Sequence, residues 1–347
     1  MSSIRILRAG LLTTIQDLGR VGFQQYGIPV SGAMDKYSLK LANILVGNDR
    51  GEGALEITML GPEILFNCGT TIAITGGNLT PTINDVDIDM YRTYVVKPGD
   101  KLKFKGLKNG CRGYMAVSGG FSIKPVMGSK STYMRGQFGG FKGRKLKEED
   151  FIPLKKPGIL LEDRKIKLNY IKNYNNRVVR VILGTELHMF KKDTIDVFLS
   201  EEYQLTNQCD RMGYRLEGPG LKHVSGSDVI SGGINLGAIQ VPGDGKPIIM
   251  MADRQSTGGY AKIANVISTD ISLLAQMKPG DKIRFQRIAV EEAQQLLIDE
   301  EKMLDDVEKK FSSLKEKIME KNTTRVYNIR VKGIEYRVVV EEEKVKS

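Results

Sequence analysis

Short runs of apolar residues dominate the chain and predict a protein built mainly from β-strands. The runs are separated by Gly, Pro, Asn and Asp, as in "TIAITGG", "YMAVSGG", "VVRVILG" and "DVISGGI". Apolar runs of this length, bounded by turn residues, are typical of strands, and their spacing favours a barrel or a sandwich. We therefore expect a mainly β fold.

Helical periodicity is confined to three segments. "YSLKLANILVG" (Tyr37–Gly47) places its apolar residues on one face and ends at a glycine, which predicts a short helix. "TDISLLAQM" (Thr269–Met277) predicts a second. From Ala293 onwards, apolar residues recur at the spacing of one long amphipathic helix. "VYNIRV-KG-IEYRVVV" then alternates on either side of a Lys-Gly turn, which predicts a β-hairpin.

Three sequence matches recur in the same order and indicate a duplicated β domain. "KPGDKLKF" returns as "KPGDKIRF", "LGPEI" is echoed by "EGPGL", and "TGGNL" by "SGGINL". Pro-Gly-Asp is a common turn, so the shared order carries the inference more than any single match. We divide the chain into a first β domain (1–120), a basic, glycine-rich connecting segment (121–176), a second β domain (177–288) and a helix plus hairpin (289–347).

One polar loop in the second copy is typical of a ligand-binding site. In "KPIIMMADRQSTGGYAKI", Pro247–Ala252 predicts a buried strand, and residues 253–260 then supply two charges, an amide and hydroxyls beside two adjacent glycines. Glycines allow a ligand to approach the backbone closely, and binding residues are often found on loops held by rigid strands. A polar surface turn with one internal Asp/Arg pair is the alternative.

The composition is that of an ordinary globular protein. Of the 347 residues, 41% are hydrophobic and 27% are charged, and no run approaches the ~18 consecutive apolar residues of a membrane helix. The N-terminal "MSSIRILRAG" has arginines within its apolar part and lacks the cleavage pattern of a signal peptide. We therefore expect a cytoplasmic protein without a membrane partner.

The net charge of +11 is unevenly distributed. Lys124–Lys167 alone holds 12 basic and 5 acidic side chains, a net charge of +7. This stretch has few aromatic residues and no recognised nucleic-acid-binding motif, so we expect no nucleic-acid partner. It is interpreted either as a solvated basic surface or as a surface that attracts a carboxylate, a phosphate or an acidic partner.

Cysteine and histidine are too few and too scattered to indicate a metal site. Cys68, Cys111 and Cys209 lie far apart, and neither His188 nor His223 stands in a ligand motif. This argues against a disulfide framework and against zinc, and we expect no metal. Any general acid or base is therefore sought among Asp, Glu, Lys and Tyr.

Several long motifs resemble one protein family. They are "GLLTTIQDLGRVGFQQYGIPVSGAMD", "LANILVGN", "STYMRGQFGGFKGRKL", "DRMGYRLEGP" and the polar loop described above. Over residues 4–288 they resemble the KipA family, which is also described as the C subunit of 5-oxoprolinase, allophanate hydrolase subunit two and biotin-dependent carboxyltransferase.

The resemblance implies two cyclophilin-like β-barrel domains, in agreement with the repeat, and a KipI-type partner protein. Relatives imply three activities. The leading one is ATP-dependent opening of 5-oxoproline to glutamate, together with a further protein like the A subunit of 5-oxoprolinase. The alternatives are carboxyl transfer from carboxybiotin to a urea-type amide and non-catalytic antagonism of a KipI-type inhibitor. ATP would bind at the level of the complex, and carboxybiotin would arrive from another chain.

An amide substrate requires donors for its carbonyl oxygen and acceptors for its N–H, and the matching motifs supply candidates. Arg254 or Arg211 is expected to bind a carboxylate or phosphate, and Asp253, Tyr260 and Lys262 are candidates for proton transfer. The predicted catalytic set is Asp253, Arg254, Tyr260 and Lys262. The predicted substrate-binding residues are Arg211, Tyr214, Gln240, Gln255, Thr257, Gly258, Gly259, Arg20, Ser31, Asp35 and Asn78.

Three of these residues have plainer alternatives. Arg211 would pair with Asp210 or Glu217, Asp35 would cap the predicted first helix, and Lys262 would be solvated.

Two further segments bear on cofactors. "FGGFKGR" (Phe138–Arg144) is glycine-rich and basic but lacks the ending of a phosphate loop, which favours an ordinary loop or a partner surface. The tail hairpin resembles the opening strands of a biotinyl domain, yet the sequence contains no Ala-Met-Lys-Met acceptor, so we expect no biotin on this chain. The tail helix would serve either as a docking piece for a partner or as the contact of a homo-oligomer.

Overall fold

The computed structural model describes residues 2–155, 161, 163–331 and 334–341, with side chains up to residue 312. It confirms the mainly β architecture, with a two-sheet first half, a closed barrel in the second half, and a long helix and hairpin at the C-terminal end. Within these residues no helix is both long and apolar enough to cross a bilayer.

The first half consists of two β-sheets. Its strands are β1 Ser3–Arg8, β2 Leu12–Gln16, β3 Ala54–Thr58, β4 Glu63–Phe66, β5 Thr70–Asn78, β6 Pro81–Ile83, β7 Val86–Asp87, β8 Thr93–Val96, β9 Lys101–Phe104, β10 Asn109–Val117 and β11 Phe151–Pro153. One sheet has the order β11-β1-β4-β9-β6-β7, and the other β2-β3-β10-β5-β8. Side chains that alternate along each strand supply the core. In β1, for example, Ile4 and Ile6 are fully buried while their neighbours are partly exposed.

The second half is a closed barrel. Its region of the chain contains β12 Val178–Leu183, β13 Glu202–Leu205, β14 Gly213–Glu217, β15 Asp228–Gly233, β16 Ala238–Gln240, β17 Ile248–Met250, β18 Thr257–Tyr260, β19 Lys262–Val266 and β20 Lys282–Arg287. The barrel order is β12-β19-β16-β17-β14-β13-β20, and parallel pairing of β20 with β12 completes the ring. Strands β15 and β18 form a separate two-stranded sheet.

The two KPGD segments form the same turn in both halves, which supports the duplication. In each, the Asp carboxylate accepts a hydrogen bond from the N–H of the Lys three residues earlier, at 2.7 Å for Asp100 and 3.0 Å for Asp281. The intervening glycine donates to the carbonyl of the last residue of a strand in its own half, Phe66 or Leu205, at 2.8 Å in both cases. The domain boundaries remain predictions, although β11 places part of the predicted connecting segment in the first sheet.

The helices are α1 Lys36–Leu45, α2 Lys192–Ser200, α3 Ile271–Ala275 and α4 Val290–Thr323. Asp35 caps α1 by accepting a hydrogen bond from the N–H of Ser38 at 2.9 Å, so the capping alternative for Asp35 is confirmed. Helix α2 was not predicted; it has no side-chain cap and buries only Thr194 and Phe198, so its sequence signal is weak.

The C-terminal hairpin consists of β21 Thr324–Val331 and β22 Ile334–Glu341. The strands are antiparallel and pair along their whole length. The predicted Lys332-Gly333 turn lies outside the described residues.

Helix α4 packs against α1 of the first half. Its Leu304, Val307 and Phe311 are buried in a cluster with apolar residues of α1. Arg50, which follows α1, reinforces the contact with ion pairs to Asp305 at 2.7 Å and to Glu308 at 2.6 Å. This part of the apolar stripe is therefore covered by the chain itself.

Replacing Leu304 by Ala is expected to lower the free energy of unfolding by about 2–4 kcal/mol, because the fully buried side chain leaves a cavity. Leu297→Ala, two turns earlier on the same helix, is the matched control: Leu297 is 39% exposed, and its loss should cost less than about 1 kcal/mol. Urea unfolding measures both variants. Equal losses would contradict the docking of α4 on α1.

Candidate functional site

A buried ion-pair network centred on Arg211 joins the two halves. Arg211 precedes β14 and is 5% exposed. Its Nε and Nη2 donate to the two carboxylate oxygens of Asp253 at 2.9 and 3.0 Å, and its Nη1 donates to Glu56 of β3. Nη2 also donates to the carbonyl of Gly32 at 2.6 Å. One guanidinium from the second half therefore binds a carboxylate from each half.

Electrostatics keep this arginine charged. Burial alone would lower the pKa of Arg211, but the negative charges of Asp253 and Glu56 outweigh burial and raise it. Glu56 is satisfied further by the hydroxyl of Tyr114 at 2.7 Å and the N–H of Met34 at 2.8 Å. A buried ion pair of this kind is tolerated because the lone pairs and protons around it have partners.

Gln276, which follows α3, forms a second bridge. Its Oε1 accepts hydrogen bonds from the N–H groups of Cys111 and Arg112 in β10, both at 2.9 Å, and its Nε2 donates to the carboxylate of Asp35 at 2.8 Å. The N–H of Asp35 in turn donates to the hydroxyl oxygen of Tyr114 at 2.8 Å. The two bridges thus belong to one hydrogen-bonded network.

Arg112 and Tyr214 extend the network across the same interface. Nη1 of Arg112 donates to the hydroxyl of Tyr214 at 2.7 Å, and burial raises the pKa of that phenol. Four predicted site residues, Asp35, Arg211, Tyr214 and Asp253, therefore lie together. Their polar groups are bound to other parts of the protein, which makes them a joint between the halves.

Two adjoining cavities border this joint. The larger, of about 1130 Å³, is lined by Arg211, Tyr214 and Asp253 together with Tyr133, Met134, Arg135, Lys142, Met212 and Met277. The smaller, of about 320 Å³, shares Arg135 and Met212 with it and is also lined by the predicted residues Gln240, Gln255 and Tyr260. The predicted residues Arg211, Tyr214 and Asp253 thus line one cavity, and the predicted residues Gln240, Gln255 and Tyr260 line its neighbour.

The polar loop 253–260 divides into a buried and an exposed part. Arg254 is 9% exposed and donates to the carbonyls of Ile234 at 3.0 Å and Met251 at 3.3 Å. Burial lowers the pKa of Arg254 to about 10. The exposed members are Gln255, Thr257 and Tyr260, the last to 42%.

The two glycines of the loop differ in what they allow. A Cβ at Gly258 would lie 2.4 Å from Cδ1 of Ile234 and 2.8 Å from Nε2 of the buried Gln240, so packing requires glycine there. The same Nε2 donates to the carbonyl of Tyr260 at 3.3 Å. Gly259 meets only ordinary contacts at 3.4 Å. Gly258 thus lets β18 lie directly on Gln240.

Lys262 is held apart from the other predicted catalytic residues. Its Nζ pairs with Glu186 at 2.8 Å, and its N–H donates to the same carboxylate at 2.6 Å. Among the described residues no hydrogen bond or ion pair links the side chain of Lys262 to Asp253 or Tyr260. Asp253 is bound to Arg211. Tyr260 is the most exposed member of the predicted catalytic set.

Arg20 and Ser31 carry buried polar atoms without partners. Arg20 is 1% exposed, its Nη2 donates to the carbonyl of Ser131, and its guanidinium lies 4.9 Å from the ring centroid of Phe138. Within the described structure its Nε and Nη1 have no hydrogen-bond partner, and the hydroxyl of Ser31 has none either. Ser31 also has a φ of +56°, in the left-handed region. Such groups are uncommon in native proteins and mark candidate ligand contacts.

The alternative partners predicted for Arg211 are wrong, and Asn78 makes a local structural contact. Arg211 pairs with neither Asp210 nor Glu217 in the described part of the chain. Asn78 is the last residue of β5, and its side chain accepts a hydrogen bond from the N–H of Thr80 in the following turn at 2.8 Å.

The glycine-rich segment Phe138–Arg144 is held by close packing. The N–H of Gly140 donates to the carbonyl of Lys130 at 3.0 Å, and a Cβ at Gly140 would lie 1.8 Å from Oγ1 of Thr132. Glycine is therefore required here for backbone approach within the protein.

Histidine and cysteine form neither a disulfide nor a metal cluster in the described part of the chain. The ring of His223 packs on Phe190 with centroids 4.9 Å apart, and the three cysteines are free. Across the described residues no group of three His, Cys, Asp or Glu side chains is placed to hold a metal ion.

Four members of the network were not predicted from the sequence, namely Glu56, Arg112, Tyr114 and Gln276. The one local signal is Glu56, a single carboxylate inside the otherwise apolar strand "ALEIT". A charge in a buried strand needs a partner elsewhere in the fold, but its sequence does not say which.

Comparisons with known proteins cover most of the chain. The model of the family "Carboxyltransferase domain, subdomain A and B" matches residues 26–287. The C subunit of 5-oxoprolinase from Escherichia coli is 38% identical over 305 residues, covering 88% of this chain and 97% of that protein. The C subunit from Haemophilus influenzae is 36% identical with the same coverage. The crystal structure of Kluyveromyces lactis urea carboxylase is 32% identical with a TM-score of 0.83, and the match covers 88% of this chain but 29% of that one.

Replacing Arg211 by Met should lower the free energy of unfolding by about 3–5 kcal/mol, because Glu56 and Asp253 would remain buried without a counter-charge. Lys246→Met is the control, since it breaks an exposed ion pair with Glu217 and should cost less than about 1 kcal/mol. Denaturant unfolding at neutral pH measures both. A loss no larger than that of the control would show that the ion pair does not hold the halves together.

Proposed function

The chain belongs to the family of the carboxyltransferase domain, subdomain A and B, and from this premise we propose that it is a subunit of 5-oxoprolinase. The observation that carries the proposal is the match to two C subunits of that enzyme over nearly their whole length. In the assembled enzyme the chain acts with a KipI-type protein and a protein like the A subunit of 5-oxoprolinase. The complex couples hydrolysis of ATP to ADP and phosphate with addition of water to the lactam of 5-oxoproline, which opens the ring and yields glutamate.

The smaller cavity offers groups suited to a lactam. Gln240 and Gln255 present amide donors and acceptors, and Tyr260 adds a hydroxyl. Addition of water to the lactam carbonyl places negative charge on its oxygen, and the C–N bond then breaks with protonation of the ring nitrogen, so fixed donors near the oxygen lower the barrier. We assign the lactam to this cavity, with Tyr260 as the group that exchanges a proton with the ring nitrogen or carbonyl oxygen.

The carboxylate of the substrate is assigned to Arg254. Both Arg254 and Arg211 were candidates, but each donor nitrogen of Arg211 already has an acceptor within the protein. Arg254 binds only backbone carbonyls and has no carboxylate partner among the described residues. A carboxylate ligand would supply the missing counter-charge.

Carboxyl transfer is the second candidate function. It is favoured by the family model and by the likeness in fold to urea carboxylase. In that case carboxybiotin would come from another chain, and the hairpin β21–β22 with α4 would form its docking piece. The same cavity would then bind the amide that accepts the carboxyl group.

Reconstitution separates the two functions. The chain is mixed with its KipI-type and A-type partners, ATP and 5-oxoproline, and glutamate is measured, with each component omitted in turn. Glutamate is expected only from the complete mixture. Carboxylation of urea by carboxybiotin without glutamate release would favour the second function. If neither product forms and the KipI-type protein binds tightly, the chain has a binding role and is not catalytic.

Tyr260→Phe should lower kcat of the reconstituted enzyme by about tenfold or more, roughly 1.4 kcal/mol of transition-state stabilisation, because it removes the hydroxyl of a residue that lines the smaller cavity. Tyr203→Phe is the matched control, since the Tyr203 hydroxyl is buried in the barrel and has no hydrogen-bond partner in the described structure. Equal activity of both variants would exclude Tyr260 from proton transfer.

A further inference from the structure

Three cationic side chains at the junction of the halves have no acidic partner. Arg20 and Arg254 are buried, and Lys36 is partly buried at the start of α1. None of them forms an ion pair within the described part of the chain. By contrast, Lys40, one turn later on α1, pairs with Glu301. Burying charge without a counter-charge is costly, so this arrangement needs an explanation.

Residues 30–36 connect two of these charges. The carbonyl of Val30 accepts a hydrogen bond from the N–H of Arg20 at 2.8 Å, and Lys36 ends the stretch. Between them lies Ser31, whose buried hydroxyl is unpartnered among the described residues. Two guanidinium nitrogens of Arg20 are unpartnered in the same way.

Arg254 approaches the same stretch from the second half. The carbonyl of Gly32 accepts a hydrogen bond from Arg211, which binds Asp253, the neighbour of Arg254 in the chain. Burial, and next the positive charge of Arg254, lower the pKa of Lys36. The two cations are therefore close enough to repel one another.

Asp17 is the acid that lies near both Arg20 and Lys36, but its oxygens are already occupied. They accept hydrogen bonds at 2.5 to 2.8 Å from the N–H groups of Gly19 and Lys130 and the hydroxyls of Ser129 and Ser131. Asp17 thus acts on the cations only across space, as does Asp253, bound to Arg211, on Arg20, and burial lowers the pKa of Arg20 in spite of both.

We propose that Arg20, Lys36 and Arg254 form a binding site for the carboxylate of a small-molecule substrate. Arg20 offers two unpartnered guanidinium nitrogens as donors for a carboxylate, and Arg254 and Lys36 add positive charge. The Ser31 hydroxyl completes the set. The sequence alone does not single out Lys36. The identity of the ligand as 5-oxoproline rests on the proposed function, whereas the site itself rests on the unpaired charges.

Calorimetric titration of the full chain, without partner proteins, tests the site. The probes are 5-oxoproline, acetate, inorganic phosphate and 2-pyrrolidinone, which has the lactam ring but no carboxylate. 5-oxoproline should bind at least about tenfold more tightly than 2-pyrrolidinone, because only the former carries the charge. Acetate should compete with 5-oxoproline.

Lys36→Met gives the test a second readout. It should weaken binding of 5-oxoproline by about tenfold and at the same time raise the Tm of the unliganded protein, since an unpaired, partly buried charge is removed. Lys40→Met is the matched control on the same helix. It should change the affinity by less than about twofold, and it should not raise Tm because it breaks an ion pair with Glu301.

Several outcomes would overturn the proposal. Equal affinity for the two lactams, or no binding of any carboxylate, removes the site. If Lys36→Met leaves both the affinity for 5-oxoproline and the Tm unchanged, Lys36 is not part of the carboxylate site. Tighter binding of phosphate than of 5-oxoproline reassigns it to a phosphoryl group. Binding of 5-oxoproline without glutamate release by the reconstituted mixture would leave the site standing while the proposed function fails.

Discussion

The contact of Arg211 with Glu56 and Asp253 fixes how the two halves of the protein are arranged. Glu56 belongs to the first half, and Arg211 and Asp253 belong to the second. In the folded chain Glu56 is buried, and without Arg211 it would be a buried carboxylate with no cation, which is among the most unfavourable situations in a protein interior. The packing of the first half against the second therefore depends on this contact, and the larger cavity, which Arg211 and Asp253 line, lies beside it.

At the junction, polar groups whose hydrogen bonds and charges are matched within the protein hold the structure together, and those left unmatched are available to a ligand. Asp253 and Arg211 are fully engaged with each other and with the backbone, so they act as structure, although the motifs placed them in the site. Arg20 and Arg254 lie close by with donors or charge left unmatched. The residue type is the same in both cases, so the sequence does not distinguish a structural arginine from a ligand-binding one. The hydrogen-bond acceptors around each arginine do.

Features determined within a few residues were predictable from the sequence, and long-range pairings were not. The Asp35 cap and the KPGD turns involve partners three residues away. Glu56 finds Arg211 at a separation of 155 residues, and Asp35 finds Gln276 at 241, so no short window of sequence contains both members. The mainly β class was predictable because its signal repeats along the chain. Helix α2 was missed because it lacks both a cap and a wide apolar face.

The strand order of the barrel also constrains how the nascent chain matures. Closure requires β20, the last barrel strand to be synthesised, to reach β12, the first. Helix α4 follows β20 directly and covers apolar residues of α1, which was made near the start of translation. From the synthesis of β12 to that of β20 the barrel is open, and the face of α1 that α4 covers stays exposed for longer still. Exposed apolar surface of this kind is what chaperones bind. That exposure ends only when α4 has emerged.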